Sequence, residues 1–361
     1  MGNLKLVSFF NAVCVCTGLI LGSMLLVACA AEQAAPPPAP PASTFNKAIG
    51  AYSASGAQIT GVLSKQYVNG SLIRAGWSTI EPAPGEYNYT VLEASISRVK
   101  AEGKKWSLAV LAGPATPEWI YAAPYNAPRI NYLLRKEPQV MAPAWDPAVR
   151  ERLRLLALDL ALKFGTDPDL EIVYVTQMTS NGIEGQLPQD SQLLPPASEL
   201  LPGGTTWASY GWTADLWVAT VTGTVKDFAN AFTEKALAVE LHDVLGDAEI
   251  PKRIGDNVCS DTQLSGRVGI AIWWLSGRTT YQPELLEYFR TSTCDKYGQV
   301  IAPSNDPSQF PEVEGYAAVF VQAKELRLRY LEFWEEEFST FLEWQDEIAD
   351  FNTWTAKTFP E

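Results

Sequence analysis

The sequence is poor in several residue types on which protein chemistry commonly draws. Histidine occurs once in 361 residues, at His242. That argues against metal centres built from several imidazoles and against the usual Ser-His-Asp chemistry. Basic residues are scarce as well: 27 Lys and Arg face 41 Asp and Glu, a net charge of -14. Such a surface repels phosphate backbones, which makes nucleic acid a poor fit as a partner, and none is expected. Charged residues make up only 19% of the chain, against 47% hydrophobic ones. That balance is ordinary for a globular protein and excludes wholesale disorder. The length suits one large α/β barrel or two modest domains. The 12 tryptophans are the positive feature. Flat aromatic faces suit core packing, and they equally suit stacking on sugars.

Cysteine is sparse too, and its placement is informative. Three of the five cysteines, Cys14, Cys16 and Cys29, lie in the first 29 residues. Residues 1–29 read as an export signal. Lys5 is the single charge, and an apolar stretch runs from Leu6 to Ala28, interrupted by Asn11 and Thr17. It ends in Leu26-Val27-Ala28-Cys29, which resembles the bacterial lipoprotein cleavage box. The resemblance implies lipidation of Cys29 and a lipid-anchored, extracytoplasmic place in the bacterial cell envelope. The run is also long enough to span a bilayer, so a retained transmembrane anchor is the alternative. Residues 30–44 are rich in Ala and Pro and read as an extended spacer, leaving 45–361 to fold. Within that part only Cys259 and Cys294 remain. In an oxidising compartment they suggest a disulfide, the alternative being two buried thiols. Nothing in the sequence calls for a metal or a cofactor.

Short β-prone runs alternate with longer amphipathic segments. Strands are expected at 47–52, 70–77, 106–112, 172–178, 236–242, 267–274, 297–301 and 329–334. Helices are expected at 90–102, 147–164, 213–231, 283–291, 312–327 and 337–350. Pro147 falls in the first turn of the second of these and Asp146 can cap it. The crossovers after the first and fifth strands read as weak or short. Eight strands with interposed helices predict a single (β/α)8 barrel over 45–361. The long Pro- and aromatic-rich loops after the third and fourth strands then belong to its catalytic face.

Two segments carry a family resemblance. One reads Arg74-Ala75-Gly76-Trp77, then Glu81-Pro82-Ala83-Pro84-Gly85-Glu86-Tyr87, then Gly103-Lys104 before a strand that closes on Pro117-Glu118-Trp119. The other reads Tyr174-Val175-Thr176-Gln177-Met178, followed by Asn181-Gly182-Ile183-Glu184. Both resemble the barrel glycosidases that include β-galactosidases and cellulases. The resemblance implies that Glu184, just past the fourth strand, is the proton donor. It also implies that Arg74 supports a nucleophile at the end of the seventh strand. There the sequence departs from the pattern, because Gln299 stands where a carboxylate is needed, and a neutral amide cannot form a glycosyl ester. It departs again at Ile183, where the family usually has Asn; Asn181 is close but not adjacent. Glu332 on the eighth strand is the first replacement carboxylate and Glu240 on the fifth the second. Alternation puts Glu332 on one face with Trp334, and Glu240 with His242.

The catalytic pair is thus expected to be Glu184 with Glu332. Arg74, Trp77, Trp119, Asn181, Glu240, His242, Gln299 and Trp334 are expected to contact sugar. For several of these a structural role competes: an Arg paired with a structural acid, a satisfied barrel His, a core Trp. The acidic run Glu335-Glu336-Glu337 needs only a helix N-terminus to explain it. Three functions stay open: a glycosidase acting on an extracellular glycan, a carbohydrate-binding lipoprotein on a degenerate barrel, and a structural envelope lipoprotein.

Overall fold

The computed structural model describes residues 46–56, 58–195, 205–264 and 266–360. The export signal, Cys29 and the Ala/Pro spacer lie outside the described residues. Eight parallel strands close into a barrel: β1 (Gly50–Ser53), β2 (Gly70–Gly76), β3 (Lys105–Leu111), β4 (Leu170–Tyr174), β5 (Ala236–Glu240), β6 (Val268–Leu275), β7 (Lys296–Val300) and β8 (Tyr330–Phe333). Each pairs with its neighbours in sequence, and β8 closes onto β1 with Tyr52 opposite Glu332. This is the expected (β/α)8 architecture. No described helix is long and apolar enough to cross a membrane.

Period-two alternation sorts the strand residues. Leu72, Ala109, Ile172, Tyr174, Ala238, Ala271, Trp273, Tyr297 and Tyr330 form the packed barrel interior. Their strand neighbours, such as Ile73, Leu108, Val173, Val239 and Leu331, pack outward under the helices. The helices are α1 (Thr90–Ala101), α2 (Pro147–Phe164), α3 (Ala214–Ala231), α4 (Glu249–Ser260), α5 (Pro283–Thr291), α6 (Ala317–Glu325) and α7 (Gln345–Thr358). Helix α2 starts as the sequence dictates: Asp146 Oδ1 accepts from the amides of Ala148 and Val149, and Pro147 fills the first turn.

Four features differ from the sequence reading. The fifth crossover is a full 12-residue helix, α4. Its Pro251 lies in the first turn, where no backbone N–H is needed, and Ile250, Ile254 and Val258 make one buried face. Each such side chain contributes about 1.5–3 kcal/mol on burial. Gly255 makes room for Tyr288 there: a Cβ would stand 2.4 Å from its hydroxyl oxygen and push the ring aside. Second, the last helix is broken. A four-residue turn, Glu336–Ser339, precedes α7, which runs on to Thr358 and buries Ile348, Phe351 and Thr355. Third, Glu335 spends its charge on a loop rather than a helix end. Its carboxylate accepts from the amides of Gln58 and Ile59, both at 2.8 Å. Fourth, the loops after β3 and β4 share a small antiparallel sheet of Ile130–Leu134, Glu137–Met141 and Leu193–Leu194. Pro138 lies on its edge strand, where a missing donor is tolerated.

Cys259, in the last turn of α4, and Cys294, just before β7, form a disulfide with Cα atoms 5.5 Å apart.

Candidate active site

The site is built at the C-terminal ends of the strands, beginning with the loop after β4. Gly182 has φ +91°, and a Cβ there would lie 2.5 Å from the Ala112 carbonyl oxygen beyond β3. The loop therefore crosses the neighbouring backbone at a distance only glycine permits. Gln177 anchors it from below, its amide donating to the carbonyls of Ile183 (3.0 Å) and Glu240 (2.9 Å). Asn181 Oδ1 accepts from the amide of Glu184 at 3.0 Å, and its Nδ2 donates to Glu184 Oε1 at 2.6 Å. Asn181 thus both shapes the turn and holds the carboxyl group. Gln186 Nε2 reaches the other oxygen at 3.2 Å.

Glu184 keeps 23% of its side chain exposed, so an incoming ligand can reach it. Burial of the rest and the nearby charge of Glu240 push its pKa up to about 7, against the opposing pull of His242, Asn181 and Arg135. Arg135 was not singled out in the sequence. It occupies the tip of the small-sheet hairpin with φ +52°. That hairpin is fastened over the β4 loop by the Tyr132 hydroxyl, which donates to the Ser180 carbonyl at 2.8 Å.

Glu240 points into the barrel with no exposed side-chain surface. Its Oε2 accepts from the Gly185 amide at 2.5 Å, and its Oε1 from the Trp273 amide at 3.3 Å. His242 lies between the two carboxylates, with Nδ1 4.0 Å from Glu184 Oε2 and 3.9 Å from Glu240 Oε1. The fold therefore gathers Glu184, Asn181, Glu240 and His242 into one cluster.

A second group sits across the mouth. Glu332 is fully buried on β8. Its Oε1 accepts from the hydroxyls of Tyr330 (2.6 Å) and Tyr174 (2.9 Å), and its Oε2 from Gln299 Nε2 (2.6 Å). Burial raises its pKa to about 7, while these donors and Arg74 work against that rise. Tyr174 and Tyr330 were missed as site residues, although strand alternation puts both on the inward face. Arg74 enters from β2 with no ion pair or hydrogen bond among the described residues, under the electrostatic influence of Glu332, Glu184 and Glu335. An unpaired guanidinium on an apolar strand is a standing demand for an acceptor.

The tryptophans divide. Trp77 is fully buried, and its Nε1 donates to Glu81 Oε2 at 2.8 Å. Trp119 packs edge-on against it at 5.9 Å and donates to the Glu81 carbonyl at 3.0 Å. Glu81 is itself ion-paired to Arg152 of α2. This corner locks the β2 loop onto α2, which corrects the expectation that Trp77 offers a sugar platform; Trp119 is half-buried beside it. Trp334 is half-buried at the end of β8, its Nε1 donating to the Val300 carbonyl at 2.8 Å.

Residues 64–134 match the glycoside hydrolase 42 family model, described as beta-galactosidase. No curated protein matches the chain. Among solved structures, the catalytic domain of beta-amylase from Paenibacillus polymyxa superposes with a TM-score of 0.55 at 10% identity, covering 86% of this chain and 97% of that one. Endo-glycoceramidase II from Rhodococcus sp. gives 0.48 at 14% identity, over 81% and 75% of the two chains. Xylanase 10B from Thermotoga maritima gives 0.46 at 11%, over 79% and 82%. In its closed eight-stranded barrel and in the segment 64–134, the chain resembles the (β/α)8-barrel glycoside hydrolases.

Proposed function

We propose that the chain is a glycoside hydrolase acting on a glycan outside the cytoplasm, with Glu184 as its general acid. The observation that carries this reading is the state of Glu184: reachable from the mouth, held by Asn181, and with its pKa raised to about 7. A carboxylic acid still protonated near neutrality is what leaving-group protonation requires. Glu184 gives its proton to the glycosidic oxygen as the bond to the anomeric carbon breaks. Water supplies the hydroxyl that ends on that carbon, and its remaining proton restores the acid. In this reading Arg74, whose guanidinium lacks a partner among the described residues, and the half-buried Trp334 orient the sugar. Cys29 as a lipid anchor would hold the barrel at the envelope surface.

A second reading, a barrel that binds carbohydrate without cleaving it, is favoured by one observation. Glu332 is the carboxylate beside the seventh-strand position, yet its oxygens are taken by Tyr174, Tyr330 and Gln299. With no exposed surface, it meets an anomeric carbon only if groups at the mouth move aside.

A panel of aryl glycosides, wild type against Glu184→Gln, decides between the two. The hydrolase reading expects turnover that falls as pH rises through about 7, and a loss of roughly 10²–10⁴-fold in the variant. Sugar binding without turnover supports the second reading, and equal turnover by both proteins removes Glu184 as the acid.

A further inference from the structure

His242 is the lone histidine of the chain, buried between two carboxylates, and its protonation can be read from the partners of its other nitrogen. Gln282 Oε1 accepts from the Asp243 amide at 2.7 Å. The side-chain amide is thereby oriented, and its NH2 group faces His242 Nε2 at 3.0 Å. A donor pointed at Nε2 needs a lone pair there, so the proton of the neutral ring must reside on Nδ1. Nδ1 is the atom that faces Glu240 Oε1 at 3.9 Å and Glu184 Oε2 at 4.0 Å, just beyond bonding range of each. One N–H thus stands almost midway between two acceptors.

We propose that His242 is a positioning residue, held as the Nδ1–H tautomer by Gln282, whose single hydrogen bond passes to Glu184 when that residue gives up its proton. While Glu184 is protonated it needs no donor, and the Nδ1–H serves Glu240. Once Glu184 is anionic, a small turn of the ring serves it instead. Glu240 tolerates the exchange because the Gly185 and Trp273 amides still hold it. The charged and titratable groups around the ring are Glu184 from the β4 loop, Glu240 from β5, Asp243 beside it, and the Tyr281 hydroxyl at 3.4 Å from Nε2. Burial disfavours the imidazolium, but the three carboxylates outweigh it and raise the ring's pKa above the usual histidine value. Gln282 opposes them, since its amide cannot donate to a protonated Nε2.

This inference rests on Glu184 as the acid, and its test separates the two claims. With one histidine in the chain, the imidazole region of a ¹⁵N-labelled sample reports a single ring. In mildly alkaline solution the expected spectrum is a neutral ring protonated on Nδ1. Gln282→Glu offers Nε2 an acceptor, so His242 should take up its second proton at higher pH. With an imidazolium beside Glu184, the pH at which glycoside turnover is lost should fall by about one unit. A wild-type neutral ring protonated on Nε2, or a ring titration unmoved by Gln282→Glu, overturns the proposal even if turnover is found. Absence of turnover on every glycoside overturns the role for Glu184, and with it the hydrogen-bond exchange, while the tautomer stays measurable.

Discussion

Glu332 and Glu184 have their pKa values raised to the same level, about 7, by burial, yet their surroundings suit them to different work. Glu184 has Asn181 on one oxygen, a long contact to Gln186 on the other, and open surface. Glu332 accepts three donors and has none. A Glu332→Gln substitution would turn an NH2 toward donors already aimed at that position. It should cost about 1–3 kcal/mol through the unpaired polar groups it leaves. Urea unfolding measures this, and a variant as stable as the wild type would mean that the three bonds contribute little. Alternation in the sequence put Glu332 on one face with Trp334 and Glu240 with His242, while Gln299 came from the family resemblance. The sequence carried no sign of Gln282, whose influence depends on a contact across 40 residues of chain.

At the scale of elements, the loop between β4 and the small sheet positions Glu184. Its geometry depends on Gly182 crossing Ala112 with φ +91°. Gly182→Ala should destabilise the protein by about 1–3 kcal/mol, because the alanine is forced into a strained backbone conformation and against a carbonyl. The loop would shift and carry Glu184 with it. Thermal melting together with aryl glycoside turnover tests this, and an unchanged melting temperature would mean that the loop has room to relax. All eight barrel strands were legible from periodicity, as was α2 with its proline and cap. Helix α4 was not, its crossover reading as weak or short: Pro251 and Gly255 have low helix propensity, and their places in the first turn and against Tyr288 are set only by the fold. The small sheet was hidden as well, its strands being short, one of them containing proline, and another arriving from a separate loop.

At the scale of the molecule, the disulfide between Cys259 and Cys294 supports an oxidising location, because such bonds persist mainly outside the cytoplasm. It agrees with the proposal that the apolar run ending at Cys29 is an export signal. If Cys29 carries the lipid, labelling with a radioactive fatty acid should mark the wild type, and Cys29→Ser should lose the label and be released from membranes. Label retained in the variant would remove the lipoprotein assignment.

The sequence by itself determined the α/β class, because a parallel sheet of apolar strands needs helices to cover it, and its eight strands with interposed helices match a closed barrel. It determined the chemical repertoire too: with one histidine and many carboxylates, acid–base work falls to Glu. Which carboxylate is free to act was decided by the tertiary structure alone. Trp77 is a corner post rather than a platform because Glu81 and Arg152 meet it in space. Glu332 is occupied because Tyr174, Tyr330 and Gln299 converge on it from three strands. Glu184 is reachable and its pKa is raised because its desolvation and its neighbours' charges depend on distances through space, which residue order does not record.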